Sequence, residues 1–176
     1  MGLSTGEIKT LCSPPCSCIL IKPDGLDDSR FMSKLYDDLE TNRVRIAGTF
    51  YGRLSIEQAQ ALYFKDRKKS LWHEELYPQT TKHLITGPCR LLIVECFGTN
   101  GDDIFRMINN LKGKSCTEET WNPDTGYGWR GYGESLVWNR VHSPDDIKEA
   151  DAMLNALVGM DLMQTYFTVN SINAEI

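Results

Sequence analysis

Apolar positions repeat with two different periods along this chain, and the switches between them predict its elements. Cys18-Ile19-Leu20-Ile21 is a short continuous apolar run, the pattern of a buried strand. Lys22-Pro23-Asp24-Gly25 closes it with a strong turn signal. Phe31, Met32, Leu35 and Leu39 follow at offsets of three and four. That spacing predicts a helix capped by Asp28 or Ser29 and ending near Asn42. Val44 to Phe50 returns to β-branched and aromatic residues and reads as a second strand. Ser55 caps a helix over Ile56 to Phe64, with Glu57 in its first turn. The charged stretch Asp66 to Glu75 predicts a short exposed helix. Pro78 opens another over Gln79 to Ile85, which Gly87-Pro88 ends.

Cys89 to Glu95 is the most continuously apolar strand and belongs at the centre of a sheet. Asp102 or Asp103 starts a helix through Ile104, Phe105, Met107, Ile108 and Leu111. Residues 112 to 133 carry Pro123 and five glycines and predict a long loop, a length usually kept for function. Glu134 to Trp138 reads as a fourth short strand. Ser143-Pro144-Asp145-Asp146 reads as a helix N-terminus, with the helix running to about Val158. Without its inserted helices the order is β-α-β-β-α-β, the ferredoxin-like α+β plan. The expected architecture is a four-stranded antiparallel sheet, surrounding helices and a long loop before the last strand. An extended arm (1–16, with Pro14-Pro15) precedes one domain (17–160), and a tail (161–176) follows it.

Composition narrows the function classes. The chain has 176 residues, 41% hydrophobic and 24% charged, which excludes a disordered chain. A net charge of -5 argues against a nucleic-acid backbone or a membrane surface as partner. An anionic ligand then requires the few cations to gather at one place. No apolar run reaches the ~18 residues of a membrane span. No secretory pattern opens the chain, and Gly6 stands where acylation of Gly2 wants Ser or Thr. A cytoplasmic protein is expected. Six cysteines then read as free thiols. Cys12, Cys16 and Cys18 cluster without the second knuckle a zinc site needs.

His142 is the titratable residue of most interest. A neutral imidazole is a usable nucleophile near pH 7, and a following helix N-terminus offers N–H donors to an anion. Lys22, Arg130 and Arg140, with Lys112 and Lys114 before the long loop, could neutralise a phosphate. No Walker A loop is present. The glycine-rich run Gly126 to Gly133 precedes a strand instead of a helix, so it is not a dinucleotide fingerprint.

Five segments stand in order over about residues 18 to 158: Ile19-Leu20-Ile21-Lys22-Pro23-Asp24-Gly25; Thr86-Gly87-Pro88 with the strand to Glu95; Glu119-Thr120 with Asn122-Pro123; Trp129-Arg130-Gly131; and Val141-His142-Ser143-Pro144-Asp145. Together they resemble the nucleoside diphosphate kinase family. The resemblance implies a ping-pong transfer of the γ-phosphate of ATP or GTP to a nucleoside diphosphate through a phosphohistidine on His142. It implies Lys22, Tyr63, Lys114, Thr120, Arg130 and Arg140 around the phosphates and Trp72 against the base. Mg2+ would be carried by the nucleotide phosphates and not by protein side chains. It also implies a homo-oligomer built from dimers, a tetramer or hexamer.

The pattern is broken around the histidine. Arg140 stands in for an asparagine, one residue too close to His142. Ser143 replaces a glycine and Pro144 a serine, and Met153 falls where the family's glutamate orients the imidazole. These changes keep two alternatives open: a nucleotide-binding or scaffold module of the same fold, and an interaction domain with no nucleotide site.

Overall fold

The computed structural model describes residues 16–63, 71–96, 101–113, 128–157 and 161–166. Strand β1 (Cys16–Ile21) alternates its side chains between two cores. Ile19 and Ile21 enter one, with Leu92, Val94, Phe31, Leu35, Ile104 and Ile108. Cys18 and Leu20 enter the other, with Phe50, Ile93, Leu84, Met153 and Leu157. The sheet is therefore covered on both faces, which is why β1 and β3 (Cys89–Cys96) read as unbroken apolar runs.

The turn after β1 is a single helical turn, α1 (Pro23–Leu26), with Pro23 at its first position. Asp28 caps α2 (Ser29–Thr41) by accepting from the Arg30 and Phe31 amides. Strand β2 (Val44–Arg53) outlasts the expected end at Phe50. Ser55 and Gln58 form a reciprocal capping box on α3 (Ile56–Leu62). The two helices expected around Pro78 are one, α4 (Leu71–Leu84), with Pro78 inside it. A proline removes one N–H donor, which orphans only the carbonyl four residues earlier, and the helix continues past it; Thr81 Oγ1 donates to the Tyr77 carbonyl at 2.8 Å in the next turn. Helix α5 (Gly101–Lys112) follows β3.

The strand expected at Glu134–Trp138 does not form. The Glu134 and Ser135 amides donate to the Trp138 carbonyl, at 2.8 and 3.3 Å. Ser135 Oγ accepts from the Val137 and Trp138 amides. These groups are spent inside a closed loop and cannot join a ladder. A Cβ on Gly133 would lie 2.5 Å from Asn139 Cα, so only glycine closes the loop this tightly. The fourth strand is β4 (Val141–His142), paired with β1 at Leu20↔His142 and Ile21↔Val141. Helix α6 (Ile147–Leu157) starts later than expected. Its cap is Asp146, which accepts from the Glu149 amide, and not Ser143.

The core strands run β4-β1-β3-β2, antiparallel throughout, as the ferredoxin-like plan requires. Residues 161–166, expected within a tail, form β5 (Asp161–Tyr166), which adds a fifth strand beside β2.

Candidate active site

The antiparallel β1–β4 pair brings Lys22 and His142 to one end of the sheet. The Lys22 amide donates to the Arg140 carbonyl at 2.9 Å. Its side chain is 1% exposed. Nζ donates to Asn139 Oδ1 at 2.6 Å and to the Val137 carbonyl at 3.2 Å, and lies 5.8 Å from the centre of the Tyr63 ring. Burial pulls this ammonium down to about 7; Asp24 opposes the fall and Arg130 adds to it.

His142 is 6% exposed. Its ring packs at 5.0 Å, tilted 54°, against Tyr63. Nε2 is buried with no hydrogen-bond partner among the described residues. Burial, then Lys112, Lys22 and Arg130, hold the imidazole well below its usual pKa. Lys112 ends α5 and is 4% exposed. Its Nζ donates to the Ser143 carbonyl at 2.9 Å and to Asp145 Oδ1 at 3.1 Å. Burial and then Arg130 lower it, with Asp145 opposing. Arg130, on the 3-10 turn Gly128–Tyr132, thus acts on Lys22, Lys112 and His142 alike. A neutral histidine is ringed by three cations, an arrangement that attracts an anion of several charges.

Of the residues expected at the site, Lys22, Tyr63, Arg130 and His142 come together. Lys114 and Thr120 lie outside the described residues, as does the side chain of Trp72 on α4. Arg140 is turned elsewhere, which corrects its place among the phosphate ligands. Its guanidinium meets Asp24 at 3.2 Å, Asp28 at 3.4 Å and Glu134 at 3.6 Å, and three carboxylates leave no charge to offer a phosphate. Asn139 was missed. The resemblance asks for an asparagine one residue further from His142 than Arg140 stands, and Asn139 occupies that spacing and bonds Lys22. Lys112 was noticed only as a loop-flanking cation. Its signal was its place at the end of an amphipathic helix. His142 also stands four positions before the Asp146 cap, not directly before a helix.

Met153 is buried, and its Sδ accepts from Cys18 Sγ at 3.7 Å. Glu149, a carboxylate four positions earlier on the same helix, accepts from the Asp145 amide at 2.8 Å. Cys16, Cys18, Cys89 and Cys96 form no disulfide among the described residues, and burial raises both Cys18 and Cys89. Among the described residues no three of His, Cys, Asp and Glu converge as a metal site, and no helix is long and apolar enough to cross a membrane.

Among the solved structures that share this fold are two nucleoside diphosphate kinases. The nucleoside diphosphate kinase of Aquifex aeolicus superposes with a TM-score of 0.64 at 18% identity, covering 81% of this chain and 93% of its own. A halophilic nucleoside diphosphate kinase from Halobacterium salinarum, in complex with CDP, gives 0.63 at 19% identity, covering 84% and 89%. No curated protein sequence matches the chain significantly. The family model for nucleoside diphosphate kinase matches residues 16–161, most of the chain and all four core strands, and on that match the protein belongs to the nucleoside diphosphate kinase family.

Proposed function

We propose that this protein transfers the γ-phosphate of a nucleoside triphosphate to a nucleoside diphosphate, with His142 as carrier. The observation that carries the reading is a buried, neutral His142 beside Lys22, Lys112 and Arg130. A ring nitrogen of His142 attacks the γ-phosphorus. The bond to the β,γ-bridging oxygen breaks, and the diphosphate leaves with that electron pair. In the return step a terminal oxygen of an acceptor diphosphate attacks the phosphorus and the P–N bond breaks. Lys22, held by Asn139 and Val137, and Arg130 would meet the charge on the transferred group. Tyr63 packs on the imidazole and limits its rotation. Mg2+ suits this site as a passenger on the phosphates, since the charges around His142 are cations; it would supply further charge neutralisation. Lys114, Thr120 and a base stacked on Trp72 complete the proposed nucleotide site. We take the active form to be a cytoplasmic homo-oligomer, which light scattering tests directly.

Incubation with γ-phosphate-labelled ATP and Mg2+ should place an acid-labile, base-stable label on the wild-type protein and none on His142→Ala. No label on the wild type sinks the reading. The partnerless His142 Nε2, with Met153 bonded to Cys18, favours a second reading: a nucleotide-binding module with weakened chemistry. A carboxylate at Nε2 would fix tautomer and ring orientation. Calorimetric binding of ADP with no phosphohistidine would select it.

A further inference from the structure

Asp24 acts on the Lys22 ammonium through its charge, and it also closes a network on the residue that sets the cluster's frame. Its Oδ1 accepts from His83 Nε2 at 2.8 Å. Its Oδ2 accepts from the Arg140 amide at 3.1 Å and from Arg140 Nη1 at 3.2 Å. Arg140 has φ of 66°, a left-handed conformation that a side chain other than glycine rarely adopts and that surrounding contacts must hold. Its carbonyl accepts from the Lys22 amide. A Cβ on Gly25 would lie 2.6 Å from that carbonyl oxygen, so α1 presses directly on the Arg140 backbone. The residue before Arg140 is Asn139, which receives Lys22 Nζ, and the second residue after it is His142.

We propose that Asp24 is a positioning residue for Lys22, its carboxylate pinning the left-handed Arg140 backbone so that the ammonium stays charged and seated on Asn139 and Val137. The functional half of this inference rests on the phosphotransferase reading above; the structural half does not. A backbone amide and a guanidinium bound to one carboxylate oxygen fix both main chain and side chain of Arg140, which a single ion pair would not do. Asp28 and Glu134 hold the other fork of the same guanidinium, so its charge is consumed within the pin. Around Lys22 the facing charged and titratable groups are Asp24, Arg130 and Cys89, with the neutral His142 and the Tyr63 ring beside them. Asp24 and Cys89 favour the ammonium and Arg130 opposes it, and Cys89, raised by burial, is a neutral thiol near pH 7. Asp24 is therefore the nearby charge that keeps Lys22 protonated. Its own carboxyl would be raised by burial, but the His83 hydrogen bond, His83, Lys22 and the Arg140 amide outweigh that and hold it below the usual range.

The test is a titration of the Lys22 side chain by NMR in the full chain labelled at lysine, for wild type, Asp24→Asn, Arg140→Gln and Glu134→Gln. The wild-type ammonium is expected to titrate near pH 7. Asp24→Asn should lower that midpoint by about one pH unit or more, as loss of a nearby opposite charge does. Glu134→Gln, which removes only an outer contact, should leave it in place. Arg140→Gln keeps the carboxylate and its bond from the residue-140 amide and removes only the guanidinium, so the ammonium should stay charged while its hydrogen-bonded signal exchanges faster. An unmoved midpoint in Asp24→Asn overturns the proposal. So does an ammonium signal in Arg140→Gln that exchanges as slowly as the wild type's, which decides the matter even if Asp24→Asn does not fold. ADP binding supplies the functional arm: Asp24→Asn should lose more affinity at pH 8 than at pH 6. If the wild type binds no ADP, the phosphotransferase reading fails while the lysine titration still decides the role of Asp24.

Discussion

His83 and His142 are both nearly buried, at 8% and 6% exposure, and their surroundings are opposites. His83 faces a carboxylate, and Asp24 takes a hydrogen bond from its Nε2. His142 faces Lys112, Lys22 and Arg130, and its Nε2 has no partner among the described residues. The first histidine is satisfied by the fold and closes a network between α4, α1 and the approach to β4. The second is held neutral among positive charges that nothing in its own ring can answer. A buried histidine with its acceptor in place is structural by its contacts. One surrounded by cations is a site waiting for an anion.

Removing each histidine is the direct way to break this contrast. His142→Ala should abolish phosphoryl transfer, by on the order of 10⁴-fold or more if the ring is the nucleophile. It should lower the melting temperature only through the packing on Tyr63 that the buried ring gives up, since Nε2 holds no partner among the described residues. Steady-state kinetics beside a thermal melt checks both halves, and activity within tenfold of wild type would place the chemistry elsewhere.

Acidity sharpens the contrast with a sign. In the free protein Lys22 loses its proton near pH 7. Binding that needs the ammonium should therefore weaken as pH rises through 7, with kcat/KM for the triphosphate falling up to about tenfold per unit beyond it. His142 adds no acid limb until well below pH 6.5, because its folded pKa is depressed. Stability follows the opposite direction, through His142. Below about pH 6.5 the unfolded chain takes up a proton that buried His142 refuses, so stability falls as pH falls. A pH series of kinetics and of urea unfolding tests the pair.

His83→Ala reverses the pattern. Asp24 loses one partner and keeps Arg140, so the expected loss is about 1–3 kcal/mol of stability, read by urea denaturation. Activity at pH 7 should stay within about threefold of wild type, since Arg140 still pins the turn. A normal stability with lost activity would make His83 part of the chemistry.

Much of the frame could be read directly from residues. Asp28, with Phe31, Leu35 and Leu39 at helical offsets, was sufficient for α2 because capping and periodicity are local. The K-P-D-G turn, Arg130 and His142 were legible as a set because their order matched a known pattern. What escaped was decided at a distance. Glu134–Trp138 looks like a strand until Gly133 lets the loop close on itself. Arg140 looks like a phosphate ligand until Asp24, Asp28 and Glu134, three separate points of the chain, converge on it. Asn139 was hidden by a one-residue register, and β5 by a tail whose pairing with β2 no local pattern announces.

The smallest expected effect belongs to Ser143, beside the histidine. Its side chain is buried and its Oγ has no partner among the described residues, whereas its carbonyl takes the Lys112 ammonium at 2.9 Å. Ser143→Ala keeps that carbonyl and deletes only a hydroxyl that folding has desolvated without a partner. Loss of an unsatisfied group is neutral or mildly stabilising, so urea unfolding should change by less than about 0.5 kcal/mol, in the stabilising direction if at all. Transfer kinetics then separate two meanings of an orphaned hydroxyl beside His142. If the group is only a relic of the local fold, kcat and KM stay at wild-type values. A fall in kcat with KM unchanged would mean that the hydroxyl finds its partner only when a phosphoryl group is present. In that case Ser143, like His142 and unlike His83, is completed by the ligand and not by the protein.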